Sequence, residues 1–201
     1  MGRQQLKLNP AWLTLLEVVF ELGQQPYANP VGRTIFQKIA YILTEQGIET
    51  GFHFEQGSYG PFSEQLQEAV KVFANTNLIE EHTLGRMTSI KVGPAYADFR
   101  DKHADVLASY QRKIDKTVDL FSRIKSTEQA EEVTTVLFAA RKLKQSRIDA
   151  EVSEQDLYSY ILNWKKSWDK DEKRTAIGKA IRNLEMLSWM RLRYSEALTT
   201  E

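Results

Sequence analysis

The 201-residue sequence contains no cysteine. Disulfides, thiolate metal sites and cysteine nucleophiles are therefore excluded, and the absence of both cysteine and a signal-peptide pattern favours a cytoplasmic location. The longest apolar run, residues 12–20, is interrupted by Thr14 and Glu17 and is too short to cross a bilayer. We therefore expect a globular protein that has no membrane partner.

The residue patterns of common active sites are also missing. The three histidines (His53, His82 and His103) do not stand at the spacing of metal ligands, and no glycine-rich phosphate loop or nucleophile elbow is present. Adjacent glutamates, as in Glu80-Glu81, point to different faces of a strand or helix. They are therefore interpreted as solvent-exposed charges and not as a pair of catalytic carboxylates. We expect no enzymatic activity, no metal and no cofactor.

The sequence has no net charge, with 27 basic and 27 acidic side chains. Proteins that grip duplex phosphates usually have a basic excess, so duplex binding is not expected. Residues 164–193 are an exception, with nine basic and four acidic residues. Interleaved tryptophans and cations can bind single strands by stacking and charge, but they can equally form a core with a solvated helix face. The candidate anion or nucleic-acid contacts of this stretch are Lys165, Lys166, Lys170, Lys173 and Arg174.

Apolar periodicity and capping residues predict a mainly α protein with a small β-hairpin, an α+β fold. Three helices are expected first: one from Asn9-Pro10 to Gly23, one over 34–46, and one that begins at Phe62. A short strand over 50–55 is expected between the second and third helices. A hairpin of strands 78–82 and 87–92 follows, closed by a turn at 84–86. Three helices and a hairpin are the element order of a winged helix.

The rest of the chain is predicted to be mostly helical. Helices are expected over 96–124 and 174–188, and two others are expected to begin at Ser126 and after a cap at Ser153. Residues 144–153 form a polar linker. We therefore predict a winged-helix-like part over 1–95 and a helical part over 96–201, packed together as one unit.

The most unusual local stretch combines two glycines, a proline and two aromatic residues within 57–62. One hypothesis is a sharp strand-to-helix turn, with Tyr59 and Phe62 in the core and Ser63 capping the helix. The other is a contact point for a partner protein, and the two can hold together. The candidate partner contacts are Gly57, Ser58, Tyr59, Gly60, Pro61 and Phe62, together with Glu64 and Glu68, whose acidic side chains on the third helix suit phosphates poorly.

The pair of motifs Gln37-Lys38-x-x-Tyr41 and Ser58-Tyr59-Gly60-Pro61, followed by 77–81 and 84–87, resembles a known family. It is similar to the domain C-terminal to the macro domain in bacterial macro-domain proteins of the DarG antitoxin type. It is also similar to YwgA-like uncharacterised bacterial proteins. The resemblance extends over about residues 12–195.

In DarG-type proteins the macro domain removes ADP-ribose from DNA, whereas the C-terminal domain binds and blocks the DarT toxin, an ADP-ribosyltransferase acting on single-stranded DNA. The chain has no room for a macro domain, so the resemblance implies only the second role, whether the chain is a piece of a longer protein or a stand-alone relative. We expect an antitoxin-like protein-interaction module with a DarT-like partner. The alternative is a winged-helix protein that binds single-stranded or regulatory DNA.

Overall fold

The computed structural model describes residues 8–85, 87–146 and 151–195. Their contacts form two units: a first unit of Met1–Glu55 and Phe62–Thr127, and a second unit of Gln56–Pro61 and Glu128–Glu201. The sequence-based division falls between residues 95 and 96. The contacts divide the chain elsewhere, because the helices that directly follow residue 95 pack within the first unit.

Within its described residues, the first unit contains five α-helices: α1 (Leu13–Gln24), α2 (Arg33–Glu45), α3 (Glu64–Asn75), α4 (Tyr96–Lys102) and α5 (Ala104–Arg123). A 3-10 turn over Pro10–Trp12 leads into α1, and the Asn9 side chain caps it by accepting from the Ala11 N–H at 3.0 Å. Helix α1 packs against α2 and α5. Because it is covered on several sides, residues from Leu13 to Val19 are all buried, as expected for a helix that is apolar nearly all round.

The described residues also form two small two-stranded sheets. The first consists of β1 (Glu55–Gly57) and β2 (Gly60–Phe62), and the second of β3 (Ile79–Leu84) and β4 (Met87–Val92). Strands β3 and β4 are antiparallel, with Ile79 opposite Val92 and Leu84 opposite Met87. The predicted hairpin is therefore confirmed, and Arg86 of its turn lies outside the described residues.

The strand predicted over 50–55 begins only at Glu55. The chain before it is irregular because Gly51 has a φ of +74°, in the left-handed region that interrupts an extended path. The Thr50 carbonyl accepts a hydrogen bond from Trp12 Nε1 at 2.8 Å instead of joining a strand.

The second unit is built from α6 (Thr127–Ser146), α7 (Glu154–Trp164), a 3-10 turn (Lys166–Trp168) and α8 (Asp171–Met186). The predicted cap at Ser153 is confirmed, and it forms a capping box with Asp156. After α8 the chain returns to Ser153, which pairs with Arg193 in a parallel bridge. The linker predicted over 144–153 begins later than expected, because α6 continues to Ser146. Residues 147–150 of this linker lie outside the described residues.

The mainly α fold with a small hairpin is thus confirmed. Over 8–85, 87–146 and 151–195, no helix combines the length and the apolar character needed to span a membrane.

Candidate interaction site

The stretch singled out by the sequence is a tight hairpin turn that exposes one aromatic ring. Ser58 and Tyr59 form the turn between β1 and β2, and Gly60 follows with a φ of +87°, a left-handed conformation that glycine adopts without strain. Gly60 and Pro61 are buried, whereas Tyr59 is 69% exposed. The hypothesis that Tyr59 lies in the core is therefore wrong, because the turn directs its ring to solvent.

Helix α7 and the residue after it hold this turn by three hydrogen bonds to three consecutive residues. Tyr160 Oη accepts from Gln56 Nε2 at 2.9 Å, and Trp164 Nε1 donates to the Gly57 carbonyl at 3.2 Å. The Lys165 ammonium donates to the Ser58 carbonyl. Residues 160 and 164 lie on one face of α7 because they are four positions apart. The three residues that precede Tyr59 are thus each held by a hydrogen bond within the second unit.

Lys165 reaches the turn from the interior of the second unit. Its residue is only 6% exposed, and its ammonium also donates to Glu131 Oε1 at 2.6 Å. The same ammonium lies 5.3 Å from the ring centroids of Trp164 and of Trp168, which favours the cation. The charge of Lys165 is therefore compensated internally, and the side chain that the sequence assigned to anion contact anchors the turn.

The neighbouring Lys173 is also engaged within the second unit. Its ammonium donates to Glu128 and, at 2.6 Å, to Glu132, and it lies 4.9 Å from the Trp168 ring centroid. Burial lowers the pKa of Lys173, but the hydrogen bonds to both carboxylates more than offset burial, and the pKa stands above its ordinary value. The ammonium is thus held charged by its own unit.

Three further predicted anion contacts differ in their surroundings. The Arg174 guanidinium lies 5.1 Å above the Tyr158 ring centroid, whereas Lys166 and Lys170 are exposed. Trp168 is buried and the indole N–H of Trp164 is bonded to Gly57, so the structure does not bring exposed tryptophans and exposed cations together here.

The remaining predicted partner contacts belong to the first unit. Phe62 is 37% exposed, so the hypothesis that it lies in the core is also wrong. Ser63 caps α3 by accepting from the Leu66 N–H at 3.3 Å, as predicted. Glu64 and Glu68 are both exposed, and Glu68 pairs with Lys71 at 2.6 Å. This helix surface carries both signs of charge, and the partner-binding role of these residues stays a prediction.

Sequence reasoning missed Tyr160 and Trp164 as anchors of the turn. A signal was present, because two aromatic residues with polar atoms stand at an i, i+4 spacing in α7. Nothing local, however, identifies a partner about a hundred residues away in the chain.

Within the part of the chain that the structure describes, no group of three or more histidine, aspartate or glutamate side chains could hold a metal ion. No protein-family model matches the chain, and no curated protein matches its sequence.

Proposed function

We propose that this chain is an antitoxin-like protein-interaction module of the bacterial cytoplasm that binds and neutralises an ADP-ribosyltransferase of the DarT type. The observation that carries an interaction role is the display of Tyr59, which is 69% exposed on a turn whose backbone is fixed by Trp164 of α7 and by Lys165. The identity of the partner rests on the resemblance of the motifs around Gln37 and Tyr59 to the DarG C-terminal domain.

An exposed tyrosine on an ordered turn suits protein recognition for an energetic reason. Tyrosine offers a large contact area with few rotatable bonds, so that little side-chain entropy is lost when it is covered. Interface hot spots are enriched in tyrosine for the same reason. Because the turn is already ordered, the entropic cost of fixing it on binding is small.

The element order of the first unit supports a winged-helix assignment as part of this proposal. Helices α1, α2 and α3 precede the β3–β4 hairpin, which is the order of that fold. The exposed Glu64 and Glu68 on α3 are better suited to a protein partner than to DNA phosphates.

The test is to co-express the chain with a DarT-type transferase, to purify the complex, and to measure ADP-ribosylation of a single-stranded DNA oligonucleotide. We expect inhibition by the wild-type chain, and an inhibition constant at least roughly tenfold weaker for Tyr59→Ala, the loss typical of an interface anchor. Tyr27→Ala is the matched control, because Tyr27 is 87% exposed in the first unit. Absence of any complex at micromolar concentration would contradict the proposal, as would equal losses for the two variants.

The second candidate function is binding of single-stranded DNA, favoured by the exposure of Lys166 and Lys170 in the second unit. This function predicts that the chain shifts the electrophoretic mobility of a single-stranded DNA oligonucleotide. The shift should weaken as salt is added, because released counterions drive such binding, and it should be lost in the double variant Lys166→Met/Lys170→Met. No shift at low salt would end this alternative.

A further inference from the structure

We infer that Gln56–Pro61 is a preformed, uncharged docking element for an uncharged pocket on a folded protein partner, and that Lys165 is its positioning residue. The inference rests on the proposed function in one respect, namely that the turn contacts a partner. It goes further in naming the chemistry of the partner's pocket and the residue that keeps the turn ready for it.

The first argument concerns order. Each of the three residues that lead to Tyr59 has a hydrogen bond to a side chain from α7 or its C-terminal end. The donor for Ser58 is an ammonium, and hydrogen bonds from charged donors are about twice as strong as neutral ones. A turn held in this way presents the backbone of Tyr59 in an ordered conformation, so a partner pocket of matching shape can accept the turn with little remodelling.

The second argument concerns charge. Gln56–Pro61 contains no lysine, arginine, histidine, aspartate or glutamate. The Lys165 ammonium, which donates to the turn, is compensated by Glu131 at 2.6 Å. Such an element has no cationic side chain with which to attract phosphates, and it has no ionised side chain to desolvate when it is covered. It fits a pocket lined by apolar groups, with a polar atom to meet the tyrosine hydroxyl.

The third argument concerns the role of Lys165. Methionine at this position would keep an unbranched chain but would remove the donor of the Ser58 carbonyl and the partner of Glu131. The neighbouring Lys166 is exposed and stands one residue further along, so Lys166→Met removes the same charge without removing this anchor. The two variants therefore separate loss of positioning from loss of charge.

Amide hydrogen exchange of the free chain tests the positioning role without any partner. We expect exchange within residues 56–60 to be roughly tenfold faster in Lys165→Met, about the factor expected for one net hydrogen bond, with α8 unchanged. Lys166→Met should match the wild type. Unchanged exchange in the turn would overturn the inference, and so would faster exchange throughout the second unit, because Lys165 would then support the whole fold.

Trp164→Phe is a second variant that keeps an aromatic ring but removes the N–H bonded to Gly57. It should speed exchange of the same amides by a few-fold, and it decides the question if Lys165→Met does not fold. Unchanged exchange in Trp164→Phe would then count against a turn ordered by α7.

The charge argument is tested on the complex with the DarT-type transferase. We expect its Kd to change by less than about twofold between about 50 and about 500 mM NaCl, because screening acts only on charged contacts. A Kd that weakens by about tenfold or more would overturn the uncharged pocket. If the transferase does not bind at all, the proposed function is contradicted. The exchange experiment on the free chain tests the positioning role of Lys165 independently of that result.

Discussion

The side-chain amide of Gln37 forms two hydrogen bonds with the backbone of a single residue, Ser63. Gln37 Oε1 accepts from the Ser63 N–H at 3.0 Å, and Gln37 Nε2 donates to the Ser63 carbonyl at 2.9 Å. Both residues are buried, and Ser63 is the N-cap of α3. Gln37 of α2 therefore fixes the point where α3 begins.

We predict that Gln37→Leu lowers the free energy of unfolding by about 1–3 kcal/mol, because it leaves the buried Ser63 N–H without a partner. The Ser63 carbonyl still accepts a hydrogen bond from the Gln67 N–H at 3.2 Å. Urea denaturation monitored by circular dichroism measures the change. Gln67→Leu is the control, since Gln67 is exposed on α3, and it should stay within about 0.5 kcal/mol of the wild type. A Gln37→Leu variant as stable as the control would show that water or another group satisfies Ser63.

Two glycines of the first unit should respond to alanine with opposite signs. A Cβ at Gly93 would lie 2.4 Å from the Asn77 carbonyl oxygen, so the backbone must move to admit it. A Cβ at Gly23, in α1, meets nothing within 4 Å. We expect Gly93→Ala to cost about 1–3 kcal/mol, as overpacking does, and Gly23→Ala to add up to about 1 kcal/mol through helix propensity. Paired urea titrations measure both, and a neutral Gly93→Ala would contradict the close approach of the two backbones.

A buried carboxylate in the first unit predicts a change of stability at high pH. Glu17 is 4% exposed; it accepts a hydrogen bond from the Tyr96 hydroxyl and is paired with Arg100 at 2.9 Å. Burial, followed by the hydrogen bond to Glu17 and the charge of Glu17, raises the pKa of Tyr96 above its ordinary value of 10.0. The folded state therefore holds this proton more tightly than the unfolded state.

The sign of the linkage follows from that difference. Below pH 10.0 both states are protonated and the contribution of Tyr96 is fully present. Above it the unfolded state loses the proton first, so stability falls as pH rises, by up to about 1.4 kcal/mol per pH unit. Tyr96→Phe should flatten this fall, which urea titrations at several alkaline pH values would show. Tyr27→Phe removes a hydroxyl from an exposed ring and is the control; an equally steep fall in Tyr96→Phe would contradict the assignment.

Local patterns account for the part of the fold that could be predicted. The β3–β4 hairpin and the helix capped by Ser153 depend on residues only a few positions apart, and both are present. The attachment of the turn at Ser58 could not be predicted, because Lys165 is 107 positions away. Lysine is among the residues least often buried, so sequence reasoning placed Lys165 on the surface. Only the folded chain shows that Glu131 compensates its charge.

The exposure of Tyr59 predicts that its removal leaves the fold intact. Because its ring is 69% exposed, we expect Tyr59→Ala to change the free energy of unfolding by no more than about 0.5 kcal/mol. Phe73→Ala is the contrasting control, since Phe73 is fully buried and truncation of a buried aromatic ring costs about 3–5 kcal/mol. Thermal melts of both variants measure the difference. A loss above about 1 kcal/mol in Tyr59→Ala would mean that the ring packs on the protein itself. With the expected result, a loss of partner binding in Tyr59→Ala is a lost contact and not a lost fold.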